Sequence, residues 1–244
     1  LVNGHAPLLS GRGLDKYIAA GISDDHECST AEEAMERIAK GQHVMIRQGT
    51  AAQNLDALLP LFDEPWSRRC MLVTDDRHPA DLMKEGHIDN IIRSAVKAGK
   101  SPLTAIRMAT LQAAEYFGIR NMGAVAPGYI ADILVLDNLE TVKVRDVYCR
   151  GQLAVSNGKV IDLKKAEIRS DIRKTVRNSF YLDELSASDF HIKPEGRRCR
   201  VIKIRPSQLL TDEWITEIDF SRENGIDVER DILKLAVIER HLNT

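Results

Sequence analysis

The sequence of 244 residues lacks any run of 18 consecutive apolar residues, and it lacks a clear excess of charge of either sign. A helix that crosses a membrane needs about 20 predominantly apolar residues, so the sequence predicts no membrane span. Lys and Arg together number 34 and Asp and Glu together number 36, which gives a net charge of -2. Nucleic-acid-binding domains are typically basic, so this balance argues against nucleic acid as a partner.

Cysteine is also scarce. The four cysteines, Cys28, Cys70, Cys149 and Cys199, lie far apart and form no CxxC pair. Zinc knuckles, dithiol redox pairs and small disulfide scaffolds need close or regular cysteine spacing, so the pattern argues against all three. It predicts a reducing, cytoplasmic setting.

Several catalytic motifs are missing as well. The sequence contains no HExxH motif, no Gly-rich phosphate loop and no GxSxG nucleophile elbow. It also lacks the combination of HxE with PCxxC, which excludes that class of zinc deaminase. There is no signal peptide, and the chain begins without Met at "LVNGHAP", so we expect it to be a piece of a longer protein.

The first 118 residues alternate short β-like runs with helical segments. The β-like runs are "LVNG", "GIS", "HVMIRQGT" and "CMLVTDD", and the last helical segment is "PLTAIRMATLQAAEYFG". Strand-then-helix units in series require parallel strands, and parallel strands require covered faces. The sequence therefore predicts an α/β fold, either half of a (β/α)8 barrel or a small doubly wound sheet.

After Gly123 the sequence becomes rich in Val, Ile and Leu, with turn signals between the runs. Hairpin turns are predicted at Arg150-Gly151 and Asn157-Gly158, which indicates a compact antiparallel unit. The charged residues 164–190 predict a connector with a helical part. The remainder predicts an α+β unit, with a strand at "CRVIKIRP" and an amphipathic helix at "DVERDILKLAVIERH".

Polar side chains follow the predicted parallel strands. His5, His26 and Arg47 come after or late in the first three, and Asp75 with Asp76 ends the fourth. In parallel barrels the functional side chains lie at the C-terminal ends of the strands. Two imidazoles and a carboxylate can bind a divalent metal that activates water, and a nearby carboxylate can take and return its proton. The pattern indicates hydrolytic chemistry.

Each of these residues also has an ordinary structural explanation. His5 beside a glycine fits a hydrogen-bonding loop residue, and "DDHE" fits a solvated acidic loop before a helix N-terminus. Asp76 fits a turn or N-cap residue. The functional interpretation depends on all of them lying at the same end of successive strands.

Seven stretches of the chain resemble one known family. They are "GHAPLLSG", "GISDDHECSTAEEA", "MIRQGTAAQNL", "VTDDRHPADL", "GHID", "PLTAIRMATLQAAEYFG" and "GAVAPGYIADILVLDNLETVKV". Together they resemble the bacterial and archaeal adenine deaminases of the amidohydrolase superfamily, over nearly the whole chain. The stretch "APGYIADILVLD" is general to the superfamily, whereas "GHAPLLSG", "DDHE" and "TDDRHP" are the specific part.

The resemblance implies three parts: the C-terminal half of a (β/α)8 amidohydrolase barrel in residues 1–122, a small β-sandwich unit in residues 123–165, and a connector with the start of an α+β C-terminal domain in residues 166–244. It also implies hydrolysis of adenine to hypoxanthine and ammonia, as in purine salvage. The implied cofactor is a divalent metal, manganese or iron before zinc, often with two metals in the complete enzyme.

The same resemblance implies the metal ligands. His5 is the ligand after the fifth barrel strand and His26 the ligand after the sixth. Asp75 is the acid after the eighth strand, which binds metal and carries a proton from the attacking water to the leaving ammonia.

Four further residues are expected to support these ligands. Glu27 is a second catalytic candidate, and it shares with Arg47 the expectation of contacting the substrate or supporting the site. Asp76 and His78 are expected to orient the residues around them.

Some family features are absent from the sequence. The HxH pair of the first strand and the bridging carboxylate of the fourth are missing, because the chain begins at what would be the fifth strand. Residues 1–244 alone are therefore expected to have little or no deaminase activity. Open strand edges also predict a homodimer or aggregation.

Two alternatives remain open at this stage. The chain could belong to an amidohydrolase with another substrate, such as a deacetylase or a cyclic-amide hydrolase. It could also be a non-catalytic scaffold that keeps the remnants of the fold.

Overall fold

The structure of the protein is a computed structural model that describes residues 1–161, 167–221 and 223–241. The chain divides into two compact units. The first contains Leu1–Leu163 and Pro206–Leu209, and the second contains Lys164–Arg205 and Leu210–Thr244. The predicted boundary between residues 165 and 166 lies outside the described residues.

A three-stranded parallel sheet forms the centre of the first unit. Its strands are β1 Asp24–Asp25, β2 His43–Arg47 and β3 Cys70–Val73. They pair in the order β1-β2-β3, so each strand lies beside the one that precedes it in the sequence. Among the described parallel strands, the order in the sheet is thus the same as the order in the sequence.

The predicted strands over "LVNG" and "GIS" are displaced in the structure. Residues 1–4 form no regular strand, and strand β1 begins at Asp24. The N-terminal segment still runs beside β1, because the Ser23 amide donates to the Val2 carbonyl at 2.9 Å. Gly4 then donates its amide to the Asp24 side chain at 3.4 Å, so a side chain replaces the backbone partner that a regular strand would need.

Seven helices lie in the described part of this unit, and all but the first follow a strand of the sheet in the sequence. They are α1 Gly11–Ala19, α2 Ala31–Ala39, α3 Leu55–Leu58, α4 Pro79–Lys84, α5 Ile88–Lys97, α6 Pro102–Ala109 and α7 Leu111–Tyr116. Short 3-10 turns occupy Leu59–Phe62 and Trp66–Arg69.

The helical segment predicted at "PLTAIRMATLQAAEYFG" and the segment before it are each divided into two helices. Gly86, with φ at +105°, separates α4 from α5. Thr110 separates α6 from α7, with φ at -126° and ψ at -87°. The Thr110 hydroxyl donates to the Ile106 carbonyl at 2.7 Å, so its side chain satisfies a backbone acceptor near the helix end.

The apolar core of this unit lies between the sheet and the helices. Val44, Ile46 and Leu72 from the sheet are fully or nearly fully buried, as are Ile91 of α5 and Met108 of α6. These residues belong to one continuous cluster with Cys28, Cys70 and the apolar face of α2. Each Å² of apolar surface removed from water stabilises the folded state by about 25 cal/mol, so this cluster is the main stabilising contribution to the unit.

The β-rich region after Gly123 forms one antiparallel sheet. Its strands, in pairing order, are β4 Ile133–Leu136, β5 Val144–Cys149, β6 Gln152–Ser156 and β7 Lys159–Val160. The two predicted hairpin turns are confirmed, because Arg150-Gly151 and Asn157-Gly158 have positive φ at both positions. Within the described residues this region is a single sheet, so the second sheet of the expected sandwich is not among them.

Among its described residues, the second unit contains one α-helix and one β-hairpin, with short 3-10 turns beside them. Helix α8 spans Ser170–Arg177, and strands β8 Arg198–Ile204 and β9 Thr211–Glu217 pair in antiparallel fashion. The helical part of the connector and the strand at "CRVIKIRP" are therefore confirmed. In the described segments of the chain, no helix is long and apolar enough to cross a membrane.

The helix predicted at "DVERDILKLAVIERH" is wrong. The segment has a single 3-10 turn at Val228–Arg230, and Asp231 ends it with φ at +57°. The following residues are irregular, and Leu235 and Val237 are 78% and 93% exposed. An amphipathic segment gains most of its helical stability from packing its apolar face, and these two side chains have little to pack against.

Helix α2 begins after Thr30, which is its N-cap. The Thr30 hydroxyl accepts the amide proton of Glu33 at 3.2 Å. Replacing Thr30 with Ala removes this bond, and we expect the free energy of unfolding to fall by about 1 kcal/mol. Urea unfolding followed by circular dichroism measures the change.

Ser10 provides the matched control for this measurement. It occupies the N-cap position of α1 and makes no side-chain capping bond. Ser10→Ala should therefore lower the free energy of unfolding by only a few tenths of a kcal/mol. Equal losses from the two substitutions would contradict the assignment of the Thr30 cap.

Candidate active site

Four loops meet at the C-terminal edge of the parallel sheet. The N-terminal segment carries His5, and the loop after β1 carries His26 and Glu27. Arg47 is the last residue of β2, and Asp75 with Asp76 follows β3. Parallel strands end at the same edge of a sheet, so the topology brings these side chains together.

His5, His26 and Glu27 form a cluster of potential ligands. One donor atom from each residue lies within 4.8 Å of the donor atoms of the other two. The two imidazole rings meet edge to face with their centres 5.1 Å apart. His5 Nδ1 lies 3.8 Å from Glu27 Oε1, and His26 Nε2 lies 3.6 Å from Asp75 Oδ2.

These distances suit the ligands of one metal ion. Nitrogen and oxygen ligands bind such ions at about 2.0–2.2 Å, so two ligand atoms on the same ion lie roughly 3–4 Å apart. The two measured separations fall in that range. Imidazole and carboxylate are also donors that divalent transition metals accept. The donor set therefore fits a divalent metal.

Arg47 lies at the centre of three carboxylates. Its Nη1 is 2.7 Å from Asp75 Oδ2 and 3.3 Å from Glu27 Oε1, and its Nη2 is 2.9 Å from Asp76 Oδ1. The residue is only 4% exposed. Three carboxylates against one guanidinium leave an excess of two negative charges when all are ionised. An excess of negative charge of this size favours the binding of a cation.

Asp76 joins Arg47 to the loop after β2. Its Oδ2 accepts the Ala51 amide proton at 2.7 Å, and its Oδ1 accepts from Arg47. Partial burial acts to raise the pKa of Asp76, but the hydrogen bonds from Ala51 and Arg47 outweigh it and lower the pKa below its usual value. Asp76 is thus held as an ionised partner of Arg47.

Asp75 has an unusual backbone. Its φ is +50°, in the left-handed region that few residues other than glycine, asparagine and aspartate adopt. The left-handed turn ends β3 and directs the chain into the "DRHP" loop. Strained conformations of this kind persist when surrounding contacts hold them, and they are concentrated at functional sites.

His78 is the one expected site residue without an ion pair to this cluster among the described residues, and its orienting role stays a prediction. It is the N-cap of α4, and its Nδ1 accepts the Ala80 amide proton at 3.3 Å. The other six lie in the cluster around Arg47: His5, His26, Glu27, Arg47, Asp75 and Asp76.

Two residues at the base of this site went unrecognised in the sequence. Asp25 and Arg37 are both fully buried, and Arg37 Nε donates to Asp25 Oδ2 at 2.9 Å. The reading of "DDHE" as a solvated acidic loop is wrong for its first two residues, because Asp24 is fully buried as well. The i, i+4 spacing of Glu33 and Arg37 was the available signal, but it also fits an exposed ion pair.

Asp24, the buried residue before Asp25, is held by Tyr116 of α7. The Tyr116 hydroxyl donates to the Asp24 carboxylate. Burial, reinforced by this bond, raises the pKa of Tyr116 to about 12. The bond connects the last helix of the α/β region to the strand that carries the site.

Comparison with known proteins identifies relatives of this chain. The profile of the amidohydrolase family matches residues 1–161. Adenine deaminase 2 of Carboxydothermus hydrogenoformans is 44% identical over 99% of this chain and 42% of its own length. The adenine deaminase of Thermosipho africanus is 42% identical over 98% of this chain and 41% of its own length. The chain thus spans less than half the length of these curated relatives.

A solved structure shares the fold. Enamidase, described as a new member of the amidohydrolase superfamily, superposes with a TM-score of 0.51 at 16% sequence identity, over 68% of this chain and 50% of its own. At this level of identity the likeness concerns the fold alone.

Gly49 gives a test of how closely the loops pack. A Cβ atom at this position would lie 1.7 Å from Asp76 Oδ1 and 2.8 Å from the Thr74 carbonyl oxygen. Gly49→Ala should therefore displace Asp76 from Arg47 and lower the free energy of unfolding by about 1–3 kcal/mol. Urea unfolding measures the loss.

Gly196 is the control position. A Cβ atom there meets no atom within 4 Å, and its φ lies outside the left-handed region. Gly196→Ala should change the free energy of unfolding by less than about 0.5 kcal/mol. If the Gly49→Ala protein were as stable as the Gly196→Ala protein, the loops would be able to accommodate the added methyl group without a loss in the free energy of unfolding.

Proposed function

The chain belongs to the amidohydrolase family, and we propose that it forms part of an enzyme that hydrolyses adenine to hypoxanthine and ammonia. The main support is the identity of 44% with an adenine deaminase over almost the entire chain. The cluster of His5, His26 and Glu27 beside Asp75 supports the same proposal, because it combines potential metal ligands with a carboxylate that can move a proton. The reaction serves purine salvage in this proposal.

We assign the metal ligands to His5, His26 and Asp75, with Glu27 close enough to contribute. Manganese or iron is the proposed ion, with zinc as the alternative, and the complete enzyme can hold two. A divalent ion supplies Lewis acidity, which makes water a better nucleophile near neutral pH. The short separation between His26 and Asp75 supports their assignment to the same ion.

Asp75 is the proposed proton carrier. Hydrolysis adds water to the carbon that bears the amino group, and that group must leave as ammonia. A carboxylate beside the reacting carbon can accept a proton from water and pass it to the departing nitrogen. The left-handed backbone at Asp75 and the contact with Arg47 hold the carboxylate at the edge of the sheet, where a substrate can approach.

Glu27 and Arg47 are the proposed contacts to the purine ring. Attack at a ring carbon builds negative charge on a ring nitrogen, so a hydrogen-bond donor is needed there. Arg47 is a donor at every nitrogen, and its buried Nε has no partner among the described residues. Asp76 holds Arg47 from the other side and keeps its guanidinium oriented.

We further propose that the described parallel sheet is the C-terminal half of a (β/α)8 barrel. The strands pair in sequence order, as successive barrel strands do, whereas the doubly wound alternative reverses its order at a switch point. The length of the curated relatives supports this division, because they are more than twice as long as the chain. The same proposal assigns residues 123–165 to a small β-sandwich and residues 166–244 to a connector and the start of a C-terminal domain. It also includes a homodimer.

The activity is best tested in a chimera. The segment of the Carboxydothermus adenine deaminase that matches this chain is replaced by residues 1–244, and ammonia release from adenine is measured with added Mn(II). We expect turnover from the chimera. Asp75→Asn should lower that turnover at least about 100-fold, because the amide cannot take up the proton.

Asp56→Asn is the matched control, since Asp56 is an exposed residue of α3 that makes none of the contacts described for the site. It should leave turnover unchanged. Full activity of the Asp75→Asn chimera with metal bound would refute the proton-carrier role. Hydrolysis of a cyclic amide or an acetylated amine in place of adenine would refute the substrate.

Metal binding is tested on the chain itself. We expect Mn(II) to bind residues 1–244 and His26→Ala to weaken that binding at least about 10-fold, because the substitution removes a ligand. Electron paramagnetic resonance of free Mn(II) measures the affinity. His191→Ala is the control, since His191 is exposed in the second unit and contacts Asn224. Equal affinities in the two variants would remove His26 from the metal site.

A further inference from the structure

We propose that Arg37 is a positioning residue for this metal centre, which clamps the loop of His5 against the loop of His26 and Glu27. The inference rests on the proposed metal site, because it assigns Arg37 a role through the ligands of that site. Arg37 itself lies on α2 and is fully buried. It acts through the backbone on either side of the ligands.

The guanidinium of Arg37 donates three hydrogen bonds. Nη2 donates to the Ala6 carbonyl at 2.6 Å, Nε donates to Asp25 Oδ2 at 2.9 Å, and Nη1 donates to the Glu33 carbonyl at 3.2 Å. All three of its nitrogens are therefore in use. The planar guanidinium holds these partners in fixed directions, which a flexible ammonium group cannot do.

Asp25 completes the clamp on the other side. Its Oδ2 also accepts the Ala6 amide proton at 3.0 Å, so Arg37 and Asp25 hold both backbone polar groups of the residue next to His5. Its Oδ1 accepts the Glu27 amide proton at 2.8 Å. One buried ion pair thus connects the backbone beside His5 to the backbone of Glu27.

Glu33 extends the same network along the N-terminal segment. Its Oε1 accepts the Leu8 amide proton at 2.8 Å and lies 3.1 Å from Arg37 Nη2. Its Oε2 accepts the Ser29 amide proton at 2.8 Å. Before His5, the Gly4 amide donates to Asp24. The segment is therefore fastened on both sides of His5.

His5 depends on this fastening because its own side chain is 56% exposed. Its ring meets His26 edge to face and lies 3.8 Å from Glu27 Oε1, a separation longer than a hydrogen bond. The position of the imidazole is consequently set by the backbone that carries it. A shift of that backbone would separate His5 from the other ligands.

The test compares three variants of residues 1–244 with the unaltered chain. Arg37→Met removes every contact, Arg37→Lys keeps the charge without the planar fork, and Ile38→Ala destabilises the core from the next position of α2. Mn(II) affinity and the thermal midpoint are measured for each. We expect Arg37→Met to weaken Mn(II) binding by about 10-fold or more and Arg37→Lys to recover part of the loss.

Ile38→Ala separates positioning from stability. It should lower the thermal midpoint while leaving Mn(II) affinity within about two-fold of the unaltered chain, because it removes core packing and no hydrogen bond to either loop. The inference is overturned if Arg37→Met binds Mn(II) like the unaltered chain. It is equally overturned if Ile38→Ala loses as much affinity at the same fall in midpoint.

Hydrogen exchange without metal supplies an independent readout. Arg37→Met should speed exchange at the amides of Ala6 and Leu8, while the amides of Val44 and Ile46 in β2 remain protected. If the unaltered chain binds no Mn(II), the metal site fails, and the exchange rates alone decide the clamp. Faster exchange at Ala6 and Leu8 then supports it, and unchanged exchange overturns it.

Discussion

A buried ion pair determines how the candidate site is assembled. Arg37 and Asp25 carry opposite charges and are both fully buried. Removing two charges from water costs several kcal/mol per ion, and the cost is offset only when each remaining hydrogen-bonding group also finds a partner. Here the additional partners are backbone groups of the N-terminal segment and of Glu27. The energetic requirement of the pair therefore fixes the loops that carry the candidate ligands.

The second electrostatic feature is the surplus of negative charge around Arg47. Glu27, Asp75 and Asp76 all contact this one guanidinium. Three carboxylates around one guanidinium are expensive to hold together without a further positive charge, since like charges at short range repel. Asp76 is fully committed to Arg47 and Ala51, whereas the side chain of Asp75 is 44% exposed. The arrangement divides a supporting acid from an acid that can engage a ligand.

The sequence predicts that the candidate ligand residues lie at strand ends better than it predicts the residues that support them. His26 and Asp75 follow β-like runs, and the periodicity that defines a buried run also locates its end. Asp25 and Arg37 are 12 residues apart, and their partners include the backbone of Ala6, so only the folded chain reveals their role. The same reasoning explains the failed helix at residues 227–241. Its apolar periodicity describes a helix that needs a surface to cover, and propensity alone does not supply one.

The left-handed conformation of Asp75 has a consequence for the entropy of the site. A carboxylate on a short side chain has few rotatable bonds, and here the backbone itself has already turned to face the sheet edge. The conformational entropy that this carboxylate must lose is thus mostly lost during folding, where the stability of the core offsets it. Ligand capture at this position then requires little further loss of conformational freedom. The strain at Asp75 is introduced once, during folding, and is already present when a ligand binds.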